Sequence, residues 1–495
     1  MLSLTELLAA GTQAPNHLPW PRVAVDEATW RDAGAELANG TLDLTGLWSE
    51  GNRVHLALCD MEGERASLGV LSLDCPNGRF PSIGACHPAA IRLERTMRDL
   101  GGPEPEGAPD ARPWLDHGCW PGSSAAAKAP YPFLAAEGEG LHRIPVGPVH
   151  AGIIEPGHFR FTVFGETVVR LEARLGYVHR GLEARLRGAS LEQAARLAGR
   201  ASGDSTVAYA LAFCQAAEAA LGFVVPVRAV LLRGLMAELE RLANHFGDIG
   251  AIANDASFAM MLAQCGVLRE RVLRLADELF GHRLMMDRVV PGGVAVDPTG
   301  QSPRHLRALI ADLRRYFPAL VQLYDRTASL QDRTVGTGIV RPALAARFGA
   351  GGFVGRASGR AFDARQALRY PPYDRLEVTV PVRQEGDVNA RVWIRILEIE
   401  QSFALIENIL DALPEGPILA AAPARDGEGL ALVESFRGDV LAWVRLEGGL
   451  VAHAHLRDPS WFQWPLLEAA IEGNIVADFP LCNKSFNCSY AGHDL

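Results

Sequence analysis

Three short stretches gather side chains that can move protons or hold ions. The first is GPVHAGIIEPGHFRF (147–161), which places Glu155, His158 and Arg160 at the start of a strand-like run. The second is GYVHRGLE (176–183), with His179, Arg180 and Glu183 within five residues. The third is the C-terminal stretch from Asp478 to Leu495, which carries Cys482, Cys488, His493 and Asp494. Acid, imidazole and guanidinium at this spacing suit proton relay and charge pairing. Each stretch alone is equally well read as a salt-bridged structural turn.

Other chemistries are absent from the pattern. Gly349, Gly351, Gly352 and Gly355 miss the GxGxxG spacing of dinucleotide sites, so this stretch is expected to be a flexible loop. His453 and His455 alternate as in a strand and have no third ligand nearby, which predicts surface histidines. Cys482 and Cys488 lie six apart, not a metal-ligand spacing. No CxxC pair occurs among the eight cysteines, which predicts reduced, inert thiols and no disulfide framework.

These groups need elements to position them. The chain has 495 residues, 48% hydrophobic and 21% charged, enough apolar surface to demand a folded core. Its net charge of −10 argues against a general nucleic-acid binder. No charge-free apolar window reaches membrane-spanning length, and the N-terminus lacks a basic signal region. Residues 54–59 and 68–73 read as strands, 91–100 as a short helix, and 101–145 as a Gly/Pro/Ala-rich linker or extended arm. Strands are predicted at 159–164 and 167–171. A helix is predicted from Leu191, with Ser190 and Gln193 capping it. Residues 227–246 put Leu231, Leu235, Leu239, Leu242 and Phe246 on one face of an amphipathic helix, with Glu238, Glu240 and Arg241 largely outside that stripe. Further helices are expected at 256–280, 302–331 and 389–413, and short strands at 441–445 and 451–455. Glu238, Arg241, Asn244 and His245 are read as a buried polar network fixing helix packing.

The ordered motifs carry a resemblance. From about residue 147 the chain resembles the large subunit of complex I-related, membrane-bound nickel–iron hydrogenases of the formate hydrogenlyase type, and the homologous quinone-site subunit of complex I. The match rests on GPVHAGIIEPGHFRF, GYVHRGLE, AELERLANHFGDIG, MMDRVVPGGV, GRASGRAFDAR, YDRLEVTVPV and DFPLCNKSF. Residues from about 1 to 130 are similar to the small companion subunit of complex I, a match that rests on FPSIGACHPAAIRLERTMRDLGGPEPEGAPDARPWL. The resemblance implies an α+β fold: a small α/β N-terminal domain (1–115), a linker (116–146), and a mainly helical hydrogenase-large-subunit-like domain with short terminal β-strands (147–495).

The departures matter more. The family holds its metals with two CxxC pairs, and the aligned positions here are Ser202, Ser205, Ser489 and Gly492. Hydroxyls are poor ligands for a soft centre. No metal and no cofactor bound by this chain are therefore expected. The histidine and tyrosine that contact quinone in complex I align with Pro156 and Gly203, leaving His158, Asp204 or Tyr209 as substitutes if quinone is the acceptor. Glu155 matches a proton-carrying acid of the hydrogenases, and a partly buried cleft is expected to raise its pKa. Glu155, His158 and Asp204 are thus the catalytic candidates. Arg160, His179, Arg180, Glu183, His493 and Asp494 are the coupling or interface candidates, with the last two expected in the space the metals left.

Implied partners are a small iron–sulfur subunit carrying the clusters, a ferredoxin-like subunit, a quinone-site-anchor-like membrane subunit and antiporter-like membrane subunits. No nucleic acid is implied. The expected place is peripheral, on the cytoplasmic face of the cell membrane. The first functional expectation is an oxidoreductase subunit passing electrons to quinone or another acceptor, coupled to ion pumping. The alternatives are a non-catalytic scaffold and, last, an active hydrogenase.

Overall fold

The computed structural model describes residues 2–63, 65–152, 154–298 and 300–495. Ile153, inside the first motif, lies outside the described residues. The chain mixes helix and sheet, as the α+β expectation has it.

Five strands near the N-terminus form one sheet in the order Thr12–Gln13, Arg22–Ala24, Ser67–Asp74, Arg53–Asp60, Asp43–Glu50. The pair Arg22–Ala24 and Ser67–Asp74 is parallel, and the other pairs are antiparallel. A second sheet holds Gly427–Glu434, Asp439–Glu447 and Leu450–Arg457. Its edge strand is His17–Leu18, running parallel to Gly427–Glu434. The N-terminal segment therefore also contributes to the C-terminal sheet. Leu7, Leu56 and Phe80 share one apolar cluster with Trp464, Phe486 and Tyr490 from the far end of the chain.

Five long helices make the body: Thr206–Leu221, Val227–Asp255, Ala259–Phe280, Ser302–Arg326 and Val388–Ala412. Thr206–Leu221 lies so close to strand Gly427–Glu434 that a Cβ on Gly429 would collide with the Ala216 carbonyl. Ser190 and Gln193 form a reciprocal capping box on helix Leu191–Ala198.

Several expectations change. The helix read at 227–246 runs on to Asp255, because Asp248, Ile249 and Ile252 also find buried partners. The helix read at 302–331 breaks at Thr327, whose extended backbone and Oγ1 bond to the Leu323 carbonyl (2.6 Å) end the first segment. The glycine stretch is no flexible loop. It forms helix Gly352–Ala357, buried throughout, and the missing side chain of Gly352 lets it abut the Arg437 carbonyl at φ 63°. His453 and His455 are 8% and 9% exposed, not surface groups, because the N-terminal sheet covers their strand and Trp48 stacks on His455.

The segment read as linker is an arm laid on a hairpin. Its last residues, Leu141–Val146, pair with His158–Phe164, which pairs with Thr167–Arg174. Arg112 and the Leu134 N–H both bind Glu172 on that hairpin. All eight cysteines are free thiols. Among the described residues no helix is long and apolar enough to cross a membrane.

Candidate active site

The turn Ser202–Ser205 leads into helix Thr206–Leu221 and meets the C-terminal segment directly. The Ser202 and Ser489 hydroxyls lie 2.9 Å apart. Ser202 also donates to Asp204 Oδ1 (2.7 Å), and Ser205 reaches the same oxygen at 3.2 Å. Arg437, buried, closes the group. Its guanidinium binds Asp204 Oδ2 at 2.6 Å and Ser205 Oγ at 3.0 Å, and its Nε donates to the Asn487 carbonyl. Burial works against ionisation of Asp204, but Arg437 and the two serine hydroxyls outweigh it and hold the carboxyl below its usual range.

Gly492 sits against a second pair. Tyr209 donates to Asp458 Oδ2 at 2.6 Å, and a Cβ on Gly492 would strike that oxygen. Ser489 Oγ accepts the Gly492 N–H (2.9 Å), capping the last helix, Tyr490–Asp494. The four positions Ser202, Ser205, Ser489 and Gly492 are thus brought together and occupied by protein–protein hydrogen bonds.

His493 and Asp494 go elsewhere than the sequence suggested. His493 stacks on Trp461 (centroids 3.9 Å) and bonds Asp494 Oδ1 at 2.8 Å. Asp494 Oδ2 accepts the N–H groups of Gly176 and Val178, and its carbonyl accepts from His179 Nδ1 at 2.7 Å. The pair therefore anchors the GYVHRGLE turn. Arg180 donates to the Ala201 carbonyl (2.9 Å), tying that turn to the Ser202 cluster. Glu183 pairs with His455 at 2.8 Å.

The remaining candidates are separated from this cluster. Glu155 is exposed, not in a partly buried cleft, as are its described neighbours Ala151, Gly152 and Ile154. Its carboxylate accepts the Ala491 N–H (2.9 Å) at the start of the last helix. His158 lines a different cavity, of about 230 Å³, with Arg160, Phe133 and Tyr131 from the arm. Burial pushes its imidazole below the usual value. Arg160 lies over the Phe133 ring at 4.3 Å and reaches His158 Nε2 at 3.4 Å.

One acid was passed over in the sequence. Glu240 shares a cavity of about 180 Å³ with Gly203, Asp204, Asn244 and Met285. Its two oxygens accept the N–H groups of Val207 (2.7 Å) and Ala208 (3.1 Å). Burial pushes the carboxyl up to about 8, against those two donors. Two carboxyls of opposite habit, one kept ionised and one kept protonated, therefore open on one small cavity. No local sequence pattern pointed to Glu240, since its partners lie on helix Thr206–Leu221.

Behind the cluster lies a continuous ionic network. Glu238 binds Arg365, Tyr373 and Ser402. Arg356 joins Glu398 and Glu434, and His245 bonds Glu398 at 2.8 Å. All are fully buried or nearly so. Among the described residues no three His, Cys, Asp or Glu side chains converge as a metal-ion group.

Comparison with known proteins follows from this geometry. The family described as respiratory-chain NADH dehydrogenase, 49 kDa subunit, matches residues 255–426. Formate hydrogenlyase subunit 5 of Escherichia coli (strain K12) is 31% identical over 466 residues, covering 89% of this chain and 81% of the relative. Carbon monoxide-induced hydrogenase of Rhodospirillum rubrum is 31% identical over 353 residues, 70% of this chain and 97% of the relative. Among solved structures, a chain of the membrane-bound sulfane sulfur reductase, an archaeal respiratory membrane complex, superposes with a TM-score of 0.68 at 27% identity. That alignment covers 72% of this chain and 99% of the other.

Proposed function

Since this chain belongs to the family that joins the 49 kDa subunit of respiratory-chain NADH dehydrogenase with the large subunits of membrane-bound hydrogenases, we propose that it is an acceptor-reducing subunit without a nickel–iron centre. Its relatives are subunits of membrane-bound, complex I-like hydrogenases and respiratory complexes. The observation that carries the reading is the cavity on which Asp204, clamped by Arg437, and the raised carboxyl of Glu240 both open. The residues present do not fit a soft-metal centre: three are hydroxyls already bonded, and Gly492 offers no side chain. The thiol in the same segment, Cys488, is buried and pushed up by desolvation, so it is no ready thiolate.

The Asp204–Glu240 cavity is the acceptor site in this reading. Its 180 Å³ suits a ring or a small oxidant, below the usual range for larger ligands. A quinone is one candidate, and sulfane sulfur, named for the structural neighbour, is the other. Reducing a quinone to its quinol takes two electrons, supplied by a partner's iron–sulfur cluster, and two protons. Glu240 hands over a proton, regains one from solvent at the partly exposed Asp204, and hands over the second. Arg437 holds Asp204 ionised and in place.

The further partners are those of a complex I-like assembly: a small iron–sulfur subunit, a ferredoxin-like subunit, and anchor-like and antiporter-like membrane subunits. Exposed Val149 and Ile154, beside Glu155, supply apolar surface for one of them. The chain sits peripherally on the cytoplasmic face, and proton uptake at the cleft is coupled to ion movement in the membrane arm.

A scaffold without acceptor chemistry is the second reading, favoured by the direct contact of Ser202 with Ser489. One assay separates the two. The purified complex, driven by a reduced viologen, is given a short-chain quinone and, separately, polysulfide. The acceptor reading predicts turnover that falls at least tenfold in Glu240→Gln and Asp204→Asn. Turnover indifferent to both substitutions, or none with either oxidant in the intact complex, supports the scaffold.

A further inference from the structure

A histidine-rich cavity lies outside the cleft just described. About 320 Å³ in volume, it opens where the N-terminal segment meets the C-terminus, and neither Asp204 nor Glu240 lines it. One wall is apolar, with Leu93, Met97, Leu115 and Leu495. The other carries His179, Glu183, Arg187, His453, His455 and His493.

The charges in that wall are unequally matched. Glu183 accepts from His455 Nδ1 and from the Leu456 N–H. Asp494 accepts from His493, Gly176 and Val178. Both acids are therefore compensated within the protein. Arg187 is not. It is exposed, and among the described residues it has no carboxylate partner. Its one bond goes to His453 Nε2, at 2.7 Å. A guanidinium only donates, so Nε2 is the acceptor and the His453 proton sits on Nδ1. That Nδ1–H is buried with no acceptor. His455 Nε2, His493 Nε2 and Thr96 Oγ1, from residues lining the same cavity, are likewise buried and unpartnered.

We propose that this cavity binds a small monocarboxylate with an apolar body, its head on Arg187 and its body against Leu93, Met97 and Leu115. An unpaired guanidinium at the rim selects an anion, and carboxylate matches its fork geometry. The apolar wall selects a short chain or ring, and the volume excludes a two-chain lipid. This site is independent of the acceptor reading, because no residue of that cleft contributes to it.

The test is titration calorimetry on the intact complex with 4-phenylbutyrate and its neutral analogue 4-phenylbutanol. Saturable binding of the acid, near one per chain, is expected. Arg187→Gln weakens the acid at least tenfold and leaves the alcohol unchanged, while Arg187→Lys, which keeps the charge and loses the fork, weakens the acid less than Arg187→Gln does. Ala184→Trp, at an exposed lining position, blocks both probes. No saturable binding to the wild type overturns the proposal. So does equal affinity of wild type and Arg187→Gln for the acid, or binding that ignores Ala184→Trp. Acceptor turnover is read in parallel, and its loss or survival bears only on the other site.

Discussion

Ser202 and Ser489 stand 287 residues apart in sequence and 2.9 Å apart in space. The bond joins the turn before helix Thr206–Leu221 to the last helix of the chain. Through Ser489 the C-terminal segment is locked beside Arg437 and Asp204, so the cluster behaves as one unit.

Ser489→Ala removes the hydroxyl that meets Ser202 and caps the Gly492 N–H. The expected loss is about 1–2 kcal/mol, from one cap and one buried bond. Calorimetric melting of the complex reads it. An unchanged melting temperature would show the contact to be incidental.

Gly492→Ala drives a methyl group into Asp458 Oδ2 and against the Tyr209 hydroxyl. Both belong to a fully packed pair, so overpacking is expected to cost about 1–3 kcal/mol. Double substitution with Tyr209→Phe recovers part of the loss if the clash is the cause.

Arg356→Met strips the guanidinium from Glu398 and Glu434 while keeping similar bulk. Breaking a buried pair from one side costs about 3–5 kcal/mol. Poor assembly of the complex and sharply lower denaturant resistance are expected. Wild-type behaviour would mean that the network is rebuilt around solvent.

Glu240→Gln changes the pH dependence of stability. The folded carboxyl is pushed up to about 8 from an ordinary 4.5. Between those values the folded chain holds a proton that the unfolded chain has lost, so stability falls as pH rises. Below 4.5 the contribution is fully present, and it is gone above 8. The slope from this group is about 1.4 kcal/mol per pH unit. Glu94, near 7, shares part of the window, so the variant is compared with wild type rather than with a flat line. The variant should lose stability less steeply between pH 5 and 8. Parallel curves would place the Glu240 proton elsewhere.

What the sequence made legible follows its periodicities. Leu235, Leu239 and Leu242 announced the long central helix, and Ser190 with Gln193 announced a helix start. The alternation of 159–164 announced a strand. Convergence of Ser202, Ser205, Ser489 and Gly492 came from motif alignment, since no local pattern links residues so far apart. Glu240 was hidden because its partners, the N–H groups of Val207 and Ala208, belong to another helix. His453 and His455 looked like surface groups because the sheet that covers them comes from the other end of the chain. His158 and Asp204 looked like neighbours in chemistry, yet arm residues between Pro113 and Phe133 enclose His158 in its own cavity. The glycines at 349–355 read as loop because composition cannot distinguish flexibility from close approach, which Gly352 and the Arg437 carbonyl show.

The most direct measurement is nickel per chain in the intact complex, purified from membranes without chelators and quantified by elemental analysis. The hydroxyl–carboxylate–guanidinium cluster predicts nickel far below one atom per chain, with Ser202, Ser205, Ser489 and Gly492 bonded to protein groups alone. Nickel near one atom per chain would contradict the account and return this site to hydrogen chemistry.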